Sequence, residues 1–395
     1  MTKTRFKHPW LYDLLFLLVL VLAGYLRLTG VNWGEGQHQH PDENFLSGVL
    51  ASLQAQKCSD ESIPVEACPP AQKRWLSIGE YFDSSTSTLN PYNRGYTFFV
   101  YGNLPITIVR IAASAAEQID VKMLGRQFSA LADLFTILLL YFIVSRMYGR
   151  HVGLLAALFS TLTVMQIQQS HFFTTDLFVN VFAFLAIYFA VAIVDTKEES
   201  TLQRAGDSNP RVPIGQAVEN QEPENGPINE SQFLNNDSRI LHHEPPQNIP
   251  LTQLIRDPLF LLSMGFGVAY GMALASKVNI FPLALLLPAA FALRYLGANR
   301  KPQTTAEAID SVPPSESRPL LNTNFWLLIT ICLLGGALAS LISFRIFQPY
   351  AFDGLKINPS GSRISENNAL RQLVMRTCHG IYNGRDAHIC IRSQT

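Results

Sequence analysis

A polar stretch directly after the first long apolar run contains the residue types most able to do chemistry. Residues 37–45 read QHQHPDENF, so two histidines precede the acidic pair Asp42 and Glu43. A carboxylate can accept a proton from a hydroxyl group, and imidazoles or carboxylates can hold a metal ion. Charged groups at a bilayer boundary are also easily solvated, so a loop without a chemical role is the alternative. We treat Asp42 as the principal candidate for catalysis.

Further ionisable residues fall on the same predicted side of the membrane. Acids and bases together would suit a reaction in which a carboxylate activates an acceptor while cations hold a phosphate leaving group. Two of them have plainer alternatives, because Asp176 would also stabilise a helix start and Lys277 would also serve as a membrane anchor. The set comprises His38, His40, Asp42, Glu43, Arg94, His171, Asp176, Lys277 and Arg345.

The composition indicates an integral membrane protein. Of the 395 residues, 48% are hydrophobic and only 15% are charged, which is too apolar for an ordinary soluble chain of this length. The formal net charge is zero, so no overall basic character argues for nucleic acid as a partner. The partner predicted from composition is the lipid bilayer.

Hydropathy and basic flanks predict an all-α fold of about seven transmembrane helices with the N-terminus in the cytoplasm. A first outer loop, residues 29–122, would contain the acidic patch and interfacial helices in residues 97–116, where Gly102, Pro105 and Arg110 argue against a full span. We read the first apolar run as an uncleaved helix rather than a signal peptide. The predicted spans are residues 10–28, 128–147, 152–168, 177–194, 258–276, 278–296 and 325–347.

These spans divide the chain into four parts. Residues 1–195 form an N-terminal membrane part with helices 1–4, and residues 258–350 contain membrane helices 5–7. Residues 196–257 are polar and lack periodicity, which predicts a disordered cytoplasmic loop. Residues 351–395 would be an outer tail, either a small segment or the remnant of a truncated domain. Cys58 and Cys68 share the first outer loop, where a disulfide or two free thiols are both compatible with the sequence.

Several motifs, taken in order, resemble the C-type glycosyltransferases of the protein O-mannosyltransferase and lipid A aminoarabinose transferase superfamily. The acidic pair follows helix one, and residues 125–131 (GRQFSAL) resemble the family's R-x-x-S-A-L entry to helix two. Residues 148–157 (YGRHVGLLAA) resemble its F-G-R-R-V-G-L-L-A-A turn, and residues 170–182 resemble the segment with the second acidic residue. Residues 271–288 resemble its G-L-A-x-L-T-K hairpin.

The resemblance implies a membrane enzyme that transfers a sugar from a polyprenyl-phosphate donor to a protein, lipid or glycan acceptor on the outer face. It makes Asp42 the general base, Glu43 a helper or metal contact, and Asp176 a residue that positions acceptor or sugar. Arg94 and Lys277 would bind phosphate, although Arg94 precedes Gly rather than the family's Pro-Pro, and His171 and Arg345 are further substrate-binding candidates.

The same residues leave other assignments open. The acids form no D-x-D motif, so no cofactor is predicted and a divalent metal is allowed without being demanded. The alternatives to a transferase are a multi-span transporter or flippase, in which charges concentrate near the membrane midplane, or a truncated non-catalytic relative. A multi-pass protein of a bacterial plasma membrane is the location we expect.

Overall fold

The computed structural model describes residues 10–34, 40–60, 62–117, 120–196, 256–299, 323–353 and 356–357. Nearly all of the predicted cytoplasmic loop 196–257 and of the predicted outer tail 351–395 lies outside these ranges, as does His38. Those predictions and the division of the chain into four parts therefore stay predictions.

Within the described residues the fold is helical, with only two short antiparallel hairpins. The first hairpin pairs β1 (Gln56–Cys58) with β2 (Lys73–Trp75), and the second pairs β3 (Phe352–Asp353) with β4 (Lys356–Ile357). Short 3-10 helices cover Pro70–Gln72, Pro91–Arg94, Val278–Leu285 and Pro349–Ala351. The α-helices are α1 (Trp10–Leu28), α2 (Pro41–Ser52), α3 (Ile78–Phe82), α4 (Asn103–Ala115), α5 (Val121–Tyr148), α6 (Arg150–Leu162), α7 (Val164–Ser170), α8 (Thr175–Asp195), α9 (Pro258–Ser276), α10 (Leu286–Asn299) and α11 (Thr323–Phe347).

The predicted all-α membrane fold is confirmed. In the described part of the chain six apolar helical segments are long enough to span a bilayer: α1, α5, α8, α9, the segment Val278–Gly297 and α11. The pair α6 and α7 makes a seventh if it is one crossing, in agreement with about seven predicted spans.

The predicted span over residues 152–168 is bent in the structure, because α6 and α7 meet at an angle of 61°. The 13 residues of α6 reach about 20 Å, which is less than the roughly 30 Å of a hydrocarbon core. The break falls at Thr163, whose backbone is extended, and neither proline nor glycine is present there. Arg27 donates to the carbonyl oxygens of Ser160 and Thr161 next to the break, and Ser160 O also accepts from Thr163 N–H.

The ambiguous segment 97–116 contains α4, whose 13 residues are too few to span, so the interfacial interpretation fits the structure. One helix forms rather than the predicted pair, because the chain before Asn103 is irregular. Pro105 lies in the first turn of α4, where the missing N–H costs no hydrogen bond. Ile106 and Val109 pack into a core cluster with Leu46 and Leu50 of α2.

The second half of the bundle is held together by a close crossing of α9 and α11. A Cβ atom on Gly267 would lie 2.1 Å from the Gly336 carbonyl oxygen, and one on Gly271 would lie 2.5 Å from that of Ser340. Small residues four positions apart let two membrane helices approach backbone to backbone. This crossing fixes the C-terminal end of α9, and with it Lys277.

The region between α1 and α5 packs on one end of the helix bundle, which we call the loop end. Gly102 N–H donates to Ser276 O at the end of α9, and Tyr81 O–H donates to Ile346 O at the end of α11. Arg126, near the start of α5, donates to Val31 O just after α1. The C-terminal ends of α1, α9 and α11 and the start of α5 therefore meet at the loop end.

A disulfide joins Cys58 and Cys68 in this region, which decides between the two alternatives left by the sequence. The bond closes the segment between β1 and β2. Glu80 completes a capping box with Ser77 at the start of α3, and hydrogen bonds from Arg74 and the Ser77 backbone hold the pKa of the Glu80 carboxyl well below its usual range. The loop end therefore includes a small folded region of its own, formed by the β1–β2 hairpin, the disulfide and α3.

Candidate active site

The first turn of α2 presents its two carboxylates to different surroundings. The helix begins at Pro41, and carboxylates in a first turn are stabilised by the helix dipole. Glu43 shares the buried face with Leu46 and Leu50, three and seven residues later, whereas Asp42 is half-buried and accessible. Adjacent positions on a helix point about 100° apart, which explains how one acid is enclosed and its neighbour is not.

Glu43 is part of a buried ion pair with Arg126 of α5. The guanidinium donates to both carboxylate oxygens, with Nε 2.6 Å from Oε1 and Nη2 2.9 Å from Oε2. Phe173 N–H also donates to Oε1, and Arg126 donates to the carbonyl oxygens of Val31 and Trp33. Only 1% of the Glu43 side chain is exposed. In this structure Glu43 ties α2 to α5 and to the segment before α8.

Asp42 lies beside the phenol of Tyr101, in the loop that precedes α4. Desolvation raises the pKa of Tyr101 to about 12, and the Asp42 carboxylate adds to the shift as a hydrogen-bond acceptor and as a charge. The charge of Asp176 also raises the pKa of Tyr101. Tyr101 is therefore protonated at neutral pH and able to donate to Asp42.

Asp176, in the first turn of α8, forms an ion pair with Lys277 at the end of α9. The Lys277 Nζ atom lies 2.5 Å from Asp176 Oδ1. The Lys277 side chain is 32% exposed and the Asp176 side chain is 45% exposed, so a ligand can reach both. An ammonium group has three donors, and this bond uses one of them.

A backbone contact joins the Tyr101 loop to the Lys277 turn. Gly102 N–H donates to Ser276 O at 3.0 Å, and a Cβ atom on Gly102 would lie 1.9 Å from Ala275 O. Only glycine tolerates that approach without movement of the backbone. Tyr101 and Lys277 are the chain neighbours of the two bonded residues, so this contact sets the distance between the two halves of the site.

A second buried ion pair lies deeper, between Arg27 of α1 and Asp133 of α5. Nε of Arg27 is 2.5 Å from Asp133 Oδ2, and the exposed fractions of the side chains are 0% and 2%. Asp133 and Asp176 also line one cavity of about 110 Å³, together with Met165, Gln166, Gln169, Leu177 and Asn180. The predicted second acid is therefore accompanied by a carboxylate that sequence reasoning did not single out.

Three predicted substrate-binding residues have other contacts. Arg94 Nε donates to Ser52 O at 2.6 Å, which fastens the 3-10 helix to the end of α2. His171 has Nδ1 2.7 Å from Ile167 O and Nε2 2.9 Å from Thr29 O, so its ring bridges α7 and the end of α1. Arg345 lies over the rings of Phe82 and Phe352, 4.9 and 5.1 Å from their centroids.

The described residues contain no group of three or more His, Cys, Asp or Glu side chains that could hold a metal ion. His40 caps the start of α2 without a side-chain hydrogen bond, and its ring packs against Phe172 with centroids 4.8 Å apart. Its Nδ1 atom is buried and has no hydrogen-bond partner among the residues that the structure describes.

An apolar cleft of about 420 Å³ opens between α9, the 3-10 helix Val278–Leu285, α10 and α11. Phe266, Tyr270, Leu287 and Phe344 are among its lining residues. Leu274, which also lines it, precedes Lys277 by three residues. The cleft therefore extends from the membrane-spanning part of the bundle toward the Asp176–Lys277 pair.

Tyr101, Arg27 and Asp133 are not among the site residues predicted from the sequence. A signal was present for the last two, because a charge inside a predicted span needs a partner, and Asp133 lies within residues 128–147. Glu43 could also have been placed, since its spacing to Leu46 and Leu50 is that of a buried helix face. No local pattern marks Tyr101.

Residues 116–206 match the family model described as dolichyl-phosphate-mannose-protein mannosyltransferase. The match covers about a quarter of the chain, including α5 to α8 with Arg126, Asp133 and Asp176. It confirms the resemblance to the mannosyltransferase superfamily that the sequence motifs indicated. No curated protein and no solved structure matches the chain.

Proposed function

We propose that this multi-pass membrane protein is a glycosyltransferase that moves a sugar from a polyprenyl-phosphate donor to an acceptor on the outer face, with Asp42 as general base. The observation that carries the proposal is the backbone contact of Gly102 with Ser276, which joins Tyr101 and the accessible Asp42 carboxylate beside it to the Asp176–Lys277 pair at the loop end. The family match over residues 116–206 supports transfer of a sugar as the reaction class.

In the proposed reaction Asp42 takes the proton of the acceptor nucleophile as that atom attacks the anomeric carbon of the donor. The bond from the anomeric carbon to the phosphate oxygen breaks, and the polyprenyl phosphate leaves with the electron pair. Direct attack inverts the configuration at that carbon. Tyr101 donates to the Asp42 carboxylate and orients it, while the free N–H groups of Lys277 stabilise the charge on the departing phosphate.

The lipid part of the donor has a place in this proposal. The apolar cleft that includes Leu274 would take part of the polyprenyl chain, because it continues from the membrane-spanning helices toward Lys277. Arg94 and Arg345 are weaker candidates for binding phosphate. Arg94 already donates to a carbonyl oxygen, and Arg345 already lies over two aromatic rings. His171 would support the site by bridging α1 and α7.

The disulfide supports the sidedness of the proposal. Disulfides persist in oxidising compartments, so Cys58 and Cys68 favour a loop end that faces away from the cytoplasm. We further propose a bacterial plasma membrane and a reaction that uses no tightly bound metal, with Glu43 serving Arg126 rather than a cation. The acceptor would be a protein, a lipid or a glycan.

The decisive experiment measures transfer of labelled sugar from a panel of polyprenyl-phosphate donors by the purified full chain in liposomes. Asp42→Asn should lower the rate by roughly 10²- to 10⁴-fold with donor binding retained, as expected for loss of a general base. Asp60→Asn is the matched control, because Asp60 is an exposed carboxylate of the same loop region whose hydrogen bonds, among the described residues, are to Ser62.

Two results would contradict the proposal. An Asp42→Asn protein that transfers sugar at the wild-type rate would remove the assigned base. A wild-type protein that neither binds nor turns over any donor would reject the transferase assignment and favour a transporter or a non-catalytic relative. Transfer that persists in a chelator would support the metal-independent reaction, and its loss would reject that part.

A further inference from the structure

The cavity shared by Asp133 and Asp176 offers a pattern of polar groups that the proposed reaction has not used. Besides the two carboxylates, its polar lining consists of three amides: Gln166 and Gln169 of α7 and Asn180 of α8. Met165 and Leu177 supply the apolar remainder. The bend between α6 and α7 places the two glutamines here, because a straight helix would have continued past this level.

The lining has unused hydrogen-bonding capacity. Asp133 is buried, and Arg27 bonds only its Oδ2 atom, so Oδ1 accepts no hydrogen bond from any residue in the described ranges. Gln166 accepts a hydrogen bond from Ser160 through Oε1, and its NH₂ group donates to no other described residue. The Gln169 and Asn180 side chains make no hydrogen bonds within the described part of the chain.

Asn180 is also unusual for its place in the sequence. It is exposed in the second turn of α8, a helix that otherwise meets the criteria of a membrane span. A polar side chain at such a position is costly in hydrocarbon and points to a polar surrounding. The cavity supplies that surrounding.

The charges of the cavity select a neutral ligand. Arg27 is bound to Asp133 and Lys277 to Asp176, so each carboxylate already has a cationic partner. A free divalent cation would compete with these two bound cations, and a phosphate would face two carboxylates. Carboxylates accept hydrogen bonds and amides both donate and accept them, which is the complement of a ring with several hydroxyl groups.

We infer that this cavity binds the hydroxyl groups of the transferred sugar ring and that Asp133, Gln166, Gln169 and Asn180 determine which sugar is accepted. The inference rests on the proposed function and identifies the part of the site that recognises the sugar of the donor. A volume of about 110 Å³ suits a single ring or part of one, well below the ~300–1,000 Å³ of pockets for larger ligands. Asp176 borders both the cavity and Lys277, so a ring bound here has its phosphate on the Lys277 side.

The test compares Gln169→Leu and Asn180→Leu with Gln168→Leu in the full chain reconstituted in liposomes. Gln168 is exposed on the same helix and does not line the cavity, so it receives the same chemical change without the predicted loss. Polyprenyl phosphates bearing mannose, glucose, galactose and a pentose serve as donors, and sugar-free polyprenyl phosphate serves as the binding probe.

We expect the ratio of kcat/KM between the preferred donor and the next best donor to fall about tenfold in Gln169→Leu and Asn180→Leu, as for loss of one hydrogen bond to the sugar. Binding of sugar-free polyprenyl phosphate should change less than about twofold, since it lacks the ring. Gln168→Leu should alter neither quantity.

The results separate this inference from the function on which it rests. One outcome is that the wild type turns over a donor while both cavity variants leave the kcat/KM ratio between donors unchanged or slow all donors equally. The proposed role in sugar recognition is then wrong, and the transferase assignment stands. If the wild type binds and turns over none of the donors, the transferase assignment fails and the inference fails with it. Asp133→Asn extends the test once its unfolding temperature shows an intact fold.

Discussion

At the loop end of the bundle the ion pairs Arg27–Asp133 and Arg126–Glu43 are almost fully buried, whereas at the opposite end Arg146–Asp195 and Arg150–Asp13 face solvent. The exposed fractions reach 58% for Asp195 and 66% for Asp13. Exposed ion pairs contribute little to stability. Removing one partner of a buried pair is costly, because the other charge stays buried with neither a partner nor water to stabilise it.

The difference shows how each end uses its charges. At the opposite end, basic side chains mark where helices leave the membrane, and they need no fixed geometry to do so. At the loop end, each guanidinium also binds backbone carbonyl oxygens from other segments: Arg27 those of Ser160 and Thr161, Arg126 those of Val31 and Trp33. The buried pairs therefore hold the elements around Asp42, Asp176 and Lys277 in place.

The largest effect on stability is expected for Glu43→Ala. The substitution leaves the Arg126 guanidinium buried without its carboxylate, which should cost about 3–5 kcal/mol of the free energy of unfolding. Denaturant unfolding of the purified protein in detergent measures the loss. The double variant Glu43→Leu with Arg126→Met should be clearly more stable than Glu43→Ala alone, and a double variant that is no better would show that the charges themselves are required.

A smaller loss is expected for Gly102→Ala, which puts a Cβ atom against Ala275 O. Relief of such a clash by backbone movement should cost about 1–3 kcal/mol and move Tyr101 relative to Lys277. Gly297→Ala near the opposite end is the matched control, because nothing lies within 4 Å of its added Cβ. Equal melting temperatures for the two variants would mean that the two ends do not differ in packing at these positions.

Lys277→Met should have an intermediate effect on stability. Its partner Asp176 is half-exposed, so loss of the charged hydrogen bond should cost about 1–2 kcal/mol, less than at the buried pairs. Lys73→Met provides the comparison, since Lys73 is an exposed lysine of β2 in the same loop region. A loss as large as that of Glu43→Ala would place Lys277 among the structural charges.

The smallest effect is expected for Asp13→Asn. The Arg150–Asp13 pair spans 3.4 Å and is exposed on both sides, so its removal should change the free energy of unfolding by less than about 1 kcal/mol. Added salt should shrink even that difference, because it screens exposed charges. A loss of several kcal/mol that salt does not reduce would erase the contrast between the two ends.

Hydropathy located most of the helices because a membrane span needs a continuous apolar run, which sequence displays directly. It predicted an apolar crossing over residues 152–168 but not its bend, since Thr163 has no neighbouring proline or glycine and the carbonyl groups beside it are bound by Arg27, more than 130 residues earlier in the chain. The acidic pair could be singled out from sequence, yet the separate surroundings of Asp42 and Glu43 follow from the face of α2 that packs on α5. Tyr101 could not be found, because its place depends on the contact of Gly102 with α9.

The burial of Arg27 also has a consequence for how the chain is made. Asp133 is synthesised 106 residues after Arg27, and the carbonyl groups of Ser160 and Thr161 follow later still. At translation rates of 5–20 residues per second the wait is on the order of ten seconds. During that time a long cationic side chain near the end of α1 can reach lipid headgroups instead. Insertion of the first helix and its locking at a final depth are therefore separate events in biogenesis, and the second must await the arrival of α5 and α6.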